Sequence, residues 1–260
     1  MYAKPLIFPG PRTHSPARDP ARMSPELTLP TPAENLALDE ALLDDAEENG
    51  RHDTILRLWE SPQAMVVIGR SSKIAVEANL DVCRAANVPV LRRSSGGAAI
   101  VAGPGCLMYA VILSRERFAD IEQVQVANAL VLGRIAAGLR TLLPQIELNG
   151  NSDLTLDGRK FSGNSLRVKR THTLYHGTML YDFPLSSVGE LLGTPPRQPE
   201  YRAGRTHGEF ICNLPLTREQ LVAAVGGAWP DAVPPGDWPR ERTAALVAEK
   251  YGRQEWHERL

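Results

Sequence analysis

Arg92-Arg-Ser-Ser-Gly-Gly-Ala-Ala-Ile-Val-Ala-Gly-Pro-Gly-Cys106 packs two arginines, two serines and four glycines between two apolar runs. Val88-Pro-Val-Leu91 before it and Leu107-Met-Tyr-Ala-Val-Ile-Leu113 after it read as strands, so Gly96-Gly97 sits where backbone passes close to another group. Two readings are open. Backbone N–H groups beside the glycines can cradle a bulky anion, with Arg93 adding a bidentate charge and Ser94 and Ser95 adding hydroxyl donors. The same residues also compose an ordinary glycine-bearing turn with surface arginines. The stretch is neither a phosphate loop ending in Gly-Lys-Ser/Thr nor a dinucleotide fingerprint, because the spacing and the following helix are absent.

Working outward, Asn151-Ser-Asp-Leu-Thr-Leu-Asp-Gly-Arg-Lys-Phe-Ser-Gly163 reads as strand, Asp157-Gly158 turn and strand, with Lys160 just past the turn. Ser165-Leu-Arg-Val168 and Leu174-Tyr-His-Gly-Thr-Met-Leu180 read as a further hairpin. In the second of these strands His176 and Thr178 share a face, and Gly177 between them allows close approach. Taken singly, a lysine after a turn is a solvated surface charge and a strand histidine is a hydrogen-bonded sheet residue.

Together, Arg92–Gly97, the Ser-Asp-Leu…Asp-Gly-Arg-Lys-Phe-Ser-Gly segment and His176-Gly-Thr-Met-Leu180 resemble the lipoate-protein ligase A family. That family's catalytic domain is shared with biotin ligases and octanoyl transferases. The resemblance runs from about Glu34 to Leu214, and Lys160, Arg167 and His176 follow one another at the ligases' intervals. It implies an α+β fold, a mixed and largely antiparallel sheet flanked by helices, of the class II synthetase and biotin-protein-ligase type. It also implies activation of lipoate or octanoate by ATP and Mg²⁺ to lipoyl-AMP, followed by amide transfer to a lysine of a lipoyl domain.

The resemblance carries roles onto this chain's residues. Lys160 takes the catalytic place, and one ammonium beside both reacting centres stabilises each transition state more than its ground state. The lipoyl-adenylate contacts fall on Gly69, Arg93, Ser95, Gly96, Gly97, Ala98, Ser162, Gly163, Ser165, Arg167, His176 and Thr178. Asp153, matching the family's Gly-Arg-Asn-Asp-Leu at Gly150, Asp153 and Leu154, is placed near metal-bound phosphates, where a carboxylate suits Mg²⁺. The expected acceptor is the lipoyl domain of an acyltransferase E2 or of a protein like glycine-cleavage H, and a separate accessory ligase subunit is a candidate partner.

Some positions depart from the family wording. Ala98 replaces the third glycine, Ser152 stands where asparagine is usual, and Ala102-Gly-Pro-Gly-Cys106 replaces the ligases' His-Asp…Gly-Asn part. The Gly-Pro-Gly turn resembles the transferase branch, so an ATP-independent octanoyl or lipoyl transferase stands as the alternative. Cys106 or Cys212 would then be the candidate thiol, although nothing basic adjoins Cys106 in sequence and a small apolar filler is its ordinary role.

The chain's 260 residues suffice for one sizeable domain with its own core. Its 29 basic and 30 acidic residues balance, so no basic surface points to nucleic acid and any anion site must be local. The three cysteines form no Cys-x-x-Cys pair and the six histidines are scattered, which argues against disulfides and structural zinc and for a reducing cytoplasm. No run approaches the about 18 apolar residues of a membrane span.

Residues 1 to about 25 are rich in proline and arginine and read as a flexible leader, with Met23 a candidate start. The catalytic domain is expected over 26–214, and 215–260 as a short helical tail without a full accessory domain. Within the domain, Glu26–Pro30 reads as an edge strand and Glu34–Ala46 as an amphipathic helix stopped by Gly50. Ile55–Trp59 and Ala64–Gly69 read as a strand pair, Ala75–Ala86 as one short helix, and Ile121–Leu143 as a long helix ended by Pro144. Phe210–Leu214 resembles the family's closing strand, and Thr217–Val225 and Arg240–Tyr251 read as helices. The Pro/Arg/Gly-rich stretch Thr194–His207 reads as a surface loop whose arginines would meet an acidic acceptor domain.

Overall fold

The computed structural model describes residues 24–193 and 198–260. The expected leader therefore lies almost wholly outside the described residues, as does the start of the loop at Thr194–Arg197.

Helix α1 (Pro32–Asn49) begins where the sequence supplies every starting signal. Thr31 and Glu34 form a reciprocal capping box, Pro32 opens the first turn, and Gly50 closes the helix in the left-handed region at φ 57°. Its apolar side chains divide between two cores. Leu38, Leu42, Leu43 and Ala46 pack on Ile55, Ala110, Ile112 and Leu174 of the sheet, whereas Leu36 joins a second core near Val67 and Met108. Asn35, Asp39, Glu40 and Asp44 are buried as well, so the helix is enclosed on its polar face too.

The remaining elements in chain order are β1 (Ile55–Glu60), β2 (Met65–Ile68), α2 (Ile74–Glu77), α3 (Leu80–Ala85), β3 (Val90–Arg92), β4 (Ile100–Ala102) and β5 (Cys106–Ser114). There follow α4 (Val124–Arg140), β6 (Ile146–Asn149), β7 (Asp153–Leu156), β8 (Arg159–Val168), β9 (His172–Leu180), α5 (Ser186–Leu191) and α6 (His207–Phe210). The last are α7 (Arg218–Gly227), α8 (Arg240–Leu246), which runs on into a π-helical turn Val247–Tyr251, and α9 (Gln254–Glu258).

Six strands form an antiparallel sheet in the order β1-β5-β9-β8-β7-β6. A smaller sheet, β3-β2-β4, holds the one parallel pairing among these strands, between β2 and β3. The fold is thus α+β with a mixed, largely antiparallel strand arrangement flanked by helices. Alternation along β5 serves two layers: Leu107, Tyr109, Val111 and Leu113 face α4 and α7, while Ala110 and Ile112 face α1.

Several sequence expectations change. Strands β1 and β2 do not pair with each other; they belong to different sheets, because Ser61-Pro62 turns the chain out of the first. The single helix expected over Ala75–Ala86 is two short ones, broken where Ala78 bridges Leu192. Glu26–Pro30 contributes only one bridge, Glu26 with Leu58, rather than a full edge strand. Phe210 ends a helix, and Ile211 alone bridges Lys160. The two expected hairpins fuse into one meander: Ser162 and Gly163 lie inside the ten-residue β8, and an irregularity beside Leu154 and Thr155 absorbs the extra residue.

Packing also continues through position 214. Leu214, Leu221, Val225 and Trp229 share one core with β5 and α4, and Tyr251 enters the core that holds Leu36 and Met108.

Candidate active site

A cavity of about 340 Å³ opens between the small sheet, α1 and the β7–β9 meander. Leu36, Val67, Ile100 and Met108 line one part of it, and Asp153, Lys160, Asn164, Ser165 and His176 another. It is therefore amphipathic, with an apolar wall from α1, β2, β4 and β5 and a polar wall from β7, β8 and β9.

Lys160 follows the Asp157-Gly158 turn at the start of β8, where Asp157 and Gly158 adopt φ 49° and 71°. Its Nζ donates to Asp153 Oδ1 at 2.7 Å, and Tyr201 Oη donates to the other oxygen of the same carboxylate at 2.7 Å. The lysine folds back across Gly163, where a Cβ would stand 3.1 Å from Nζ, so a side chain there would press on the ammonium. Burial first, and then the neighbouring Asp153 carboxyl, hold the Tyr201 phenol well above its ordinary range.

Behind the opposite wall runs a buried chain of polar groups. Arg57 donates to Asp39 Oδ1 at 2.6 Å and to the carbonyl and side-chain oxygens of Asn35 at 2.8 and 2.6 Å. Asp39 Oδ2 lies 3.6 Å from His176 Nδ1, and His176 Nε2 is 2.6 Å from Ser95 Oγ. Arg93 Nε donates to that same hydroxyl at 3.1 Å. Ser95 Oγ thus bridges the Arg93 guanidinium and the His176 ring, whose other nitrogen faces Asp39.

The expected site residues divide by position. Arg93, Gly97, Ala98, Asp153, Lys160, Gly163, Ser165, His176 and Thr178 all line the cavity. Ser95 lies one bond behind His176, and Ser165 donates to the Gly96 carbonyl at 2.9 Å, tying β8 to the glycine turn. Gly69, Ser162 and Arg167 stand outside the lining. Gly69 backs Gly97, Ser162 is buried against Asn164, and Arg167 lies opposite Leu174, two pairs further along the strands than Ser165.

Arg93 is corrected in role. Its guanidinium donates to the carbonyls of Val67, Gly96 and Ala98, so it shapes the turn instead of offering a free fork to an anion. Burial pushes its pKa down to about 10, with Glu77 opposing. The cradle reading of the turn rests instead on backbone: the Gly96, Gly97 and Ala98 N–H groups have no backbone acceptor among the described residues.

Arg202 and Arg205 stack on Phe210 at 5.0 and 5.3 Å and donate N–H groups to nearby carbonyls. Cys106 is fully buried and desolvation lifts its thiol to about 12, while Cys83 and Cys212 are also buried and raised, and none of the three lines the cavity.

Sequence reasoning missed Asn164, Asp39 and Tyr201. Asn164 occupies the space a Gly177 Cβ would need, at 1.7 Å, and its Oδ1 accepts from Tyr109 Oη at 2.5 Å. An amide in mid-strand opposite a glycine was its visible signal. Asp39 had one as well, since Asn35 and Asp39 are spaced i, i+4 on a leucine-rich helix.

For a magnesium ion the donor set is small. Among the described residues no group of three or more His, Cys, Asp or Glu converges. Asp153 is the one carboxylate lining the cavity among them, and a hard oxygen donor beside a phosphate-sized space fits an ion that keeps most of its waters.

Comparison with known proteins gives a consistent result. The family described as "Lipoyl protein ligase A/B catalytic domain" matches residues 31–220. A putative lipoate-protein ligase A of Schizosaccharomyces pombe is 34% identical over 193 residues, covering 74% of this chain and 50% of that protein. A second, from Aeropyrum pernix, is 32% identical over 162 residues, covering 62% and 58%. The chain thus spans about half the length of the curated relatives it matches. Among solved structures, a bi-partite lipoate protein ligase from Thermoplasma acidophilum, described with its E2 lipoyl domain, superposes with a TM-score of 0.74 at 19% identity over 90% of this chain and 95% of that one. A lipoate-protein ligase A bound with ATP gives 0.71 at 20% identity over 90% and 96%. These likenesses establish a common fold.

Proposed function

Because the chain belongs to the lipoyl protein ligase A/B catalytic domain family, we propose that it activates lipoate or octanoate with ATP and transfers the acyl group to a lysine of a lipoyl domain. The observation that carries this reading is Lys160. Its ammonium stands in the polar wall of a cavity whose other wall is apolar, held by a carboxylate 2.7 Å away.

The chemistry assigns each wall a task. An acyl chain of lipoate or octanoate size lies along Leu36, Val67, Ile100 and Met108, which places its carboxylate toward Lys160. A carboxylate oxygen attacks the α-phosphorus and pyrophosphate leaves, giving the acyl-adenylate. The acceptor lysine then enters as a free amine, attacks the acyl carbon, expels AMP and loses a proton. Lys160 offsets the charge that gathers in both steps, and the N–H groups of the glycine turn add donors. Asp153 is the residue that would hold a magnesium ion accompanying the nucleotide, which would neutralise phosphate charge. Enclosure by the apolar wall keeps water from the mixed anhydride.

The cysteine-dependent transferase alternative loses support from the burial of Cys83, Cys106 and Cys212. A second reading keeps the chemistry but divides it between this chain and a separate accessory subunit, as in the similarly folded ligase described as bi-partite. The acceptor in either case is a lipoyl domain of an E2 or of a protein like glycine-cleavage H. Three free cysteines suit a reducing cytoplasm, and no described helix is long and apolar enough to cross a membrane.

The test incubates the purified chain with ATP, Mg²⁺, lipoate or octanoate and a lipoyl domain, alone and with a candidate accessory subunit. Pyrophosphate release and an acyl mass increment on the acceptor are expected. Acyl transfer from a carrier protein with no ATP requirement would replace the proposal by the transferase.

A further inference from the structure

The two glycine-bearing turns behind the cavity share one anchor, and part of it comes from the far end of the described chain. Arg92, the last residue of β3, is fully buried and makes no ion pair among the described residues. Its guanidinium donates instead to five carbonyls. Gly69, Arg70 and Ser72 accept at 2.9, 3.3 and 2.7 Å on one side. On the other side Trp256 accepts at 3.2 Å and His257 at 2.7 and 3.2 Å. A buried cation without a carboxylate is tolerated only when its donors are met, so the carbonyls of α9 are part of what keeps Arg92 in place.

The backbone of Arg92 is gripped as well. Its N–H donates to His257 Nδ1 at 2.9 Å, and its carbonyl accepts from Trp256 Nε1 at 2.8 Å. Arg259 donates to the Arg70 carbonyl at 2.6 Å while stacking on Trp256 at 3.8 Å, and Ile74 N–H donates to the Leu260 carbonyl at 3.2 Å.

From this clasp to the cavity is one step. Arg70 N–H donates to the Ser95 carbonyl at 2.8 Å, and the Gly97 carbonyl stands 2.0 Å from where a Gly69 Cβ would be. Gly97 lines the cavity. Any slackening at Arg92 therefore reaches the cavity wall through Gly69 and Ser95.

We infer that Trp256 and His257 are positioning residues: by holding Arg92 they set the register of the Gly69 turn against the Gly96-Gly97 turn, and so the width of the acyl cavity. Both lie beyond residues 31–220, the span matched by the family model. The acyl ligand in the test rests on the proposed function; the inference about the turns does not.

The test uses the full chain carrying His257→Ala, His257→Gln or Trp256→Phe. Lipoate affinity is read by calorimetry, KM and kcat in the acceptor assay, and amide hydrogen exchange at Arg70 and Arg93, whose N–H groups bond to Ser95 and Ile68 carbonyls. His257→Ala is expected to weaken lipoate binding and raise its KM by about tenfold, the scale of one lost buried hydrogen bond, with kcat within about twofold. Exchange at Arg70 and Arg93 should quicken. His257→Gln, whose amide oxygen can accept the Arg92 N–H, should restore both. Trp256→Phe keeps the stacked ring, removes only the donor to Arg92, and should move both readouts the same way even if His257→Ala does not fold. Wild-type exchange and wild-type affinity in a folded Trp256→Phe or His257→Ala chain would overturn the inference. A wild-type chain that binds no lipoate would instead remove the proposed function, and the exchange measurement would still decide the clasp.

Discussion

Lys160 and Asp153 meet across neighbouring strands at 2.7 Å, with the lysine entering from the start of β8 and the aspartate from the start of β7. The register is irregular between them, and that irregularity turns Lys160 onto the cavity side of the meander. The pair therefore holds an ammonium ready at the polar wall before any anion arrives.

Replacing that ammonium separates catalysis from folding. Lys160→Ala is expected to fold with a stability change within about 0.5 kcal/mol, because the side chain is partly solvated. Adenylate formation should fall by a factor on the order of 10² or more, the scale of losing one preorganised charge-stabilising group. Pyrophosphate release and a thermal melt measure the two sides, and normal turnover would remove the catalytic assignment.

Asp39 acts on stability through Arg57. Both side chains are buried, so Asp39→Ala strands a guanidinium and should cost about 3–5 kcal/mol. It also removes the carboxylate that faces His176 Nδ1 at 3.6 Å, and so changes the surroundings of the ring. Denaturant unfolding measures the first effect, and nitrogen-15 shifts of His176 in whatever fraction folds measure the second. An Asp39→Ala chain as stable as wild type would show that the buried pair contributes nothing.

Acid should loosen the clasp before it unfolds the domain. Burial first, and then the Arg92 guanidinium, lower the His257 pKa, while the Tyr251 carbonyl that accepts its N–H and the Glu258 carboxylate oppose them. A histidine whose folded pKa lies below its unfolded value of about 6.5 contributes stability that is present above that value and is lost as pH falls from there toward the folded pKa. His257→Gln should therefore flatten the stability profile between about pH 6.5 and the lower folded value, with little change at pH 8. An unaltered slope in that window would assign the pH dependence to other groups.

Cys106 supplies a negative control. Its thiol is buried away from the cavity and desolvated to about 12, so Cys106→Ala should retain acyl transfer within about twofold. Loss of transfer in a folded Cys106→Ala chain would revive a thioester route.

Much of this arrangement was legible in the chain. Thr31, Pro32, Glu34 and Gly50 mark both ends of α1 because capping is a local hydrogen-bonding problem solved within one turn. Gly163 and Ser165 share a face by strand periodicity, as do His176 and Thr178, whereas Lys160 was readable only from the wording of the segment around it, since it reaches that face through the irregularity in the β7–β8 register. Arg93 was readable as a site residue but not in its role: whether a guanidinium meets a ligand or its own loop depends on where the Val67, Gly96 and Ala98 carbonyls come to rest.

The amino-acid sequence by itself determined the elements, their caps and the set of chemically capable residues, since those follow from short-range sterics, hydrogen bonding and periodicity. Tertiary structure alone decided which sheet each strand joined, that Asp39 would stand behind His176, and that His257 would close on Arg92 from 165 residues away. The reason is physical: a buried charge settles where its remaining donors can be met, and no window of sequence contains partners that the fold delivers from opposite ends of the chain.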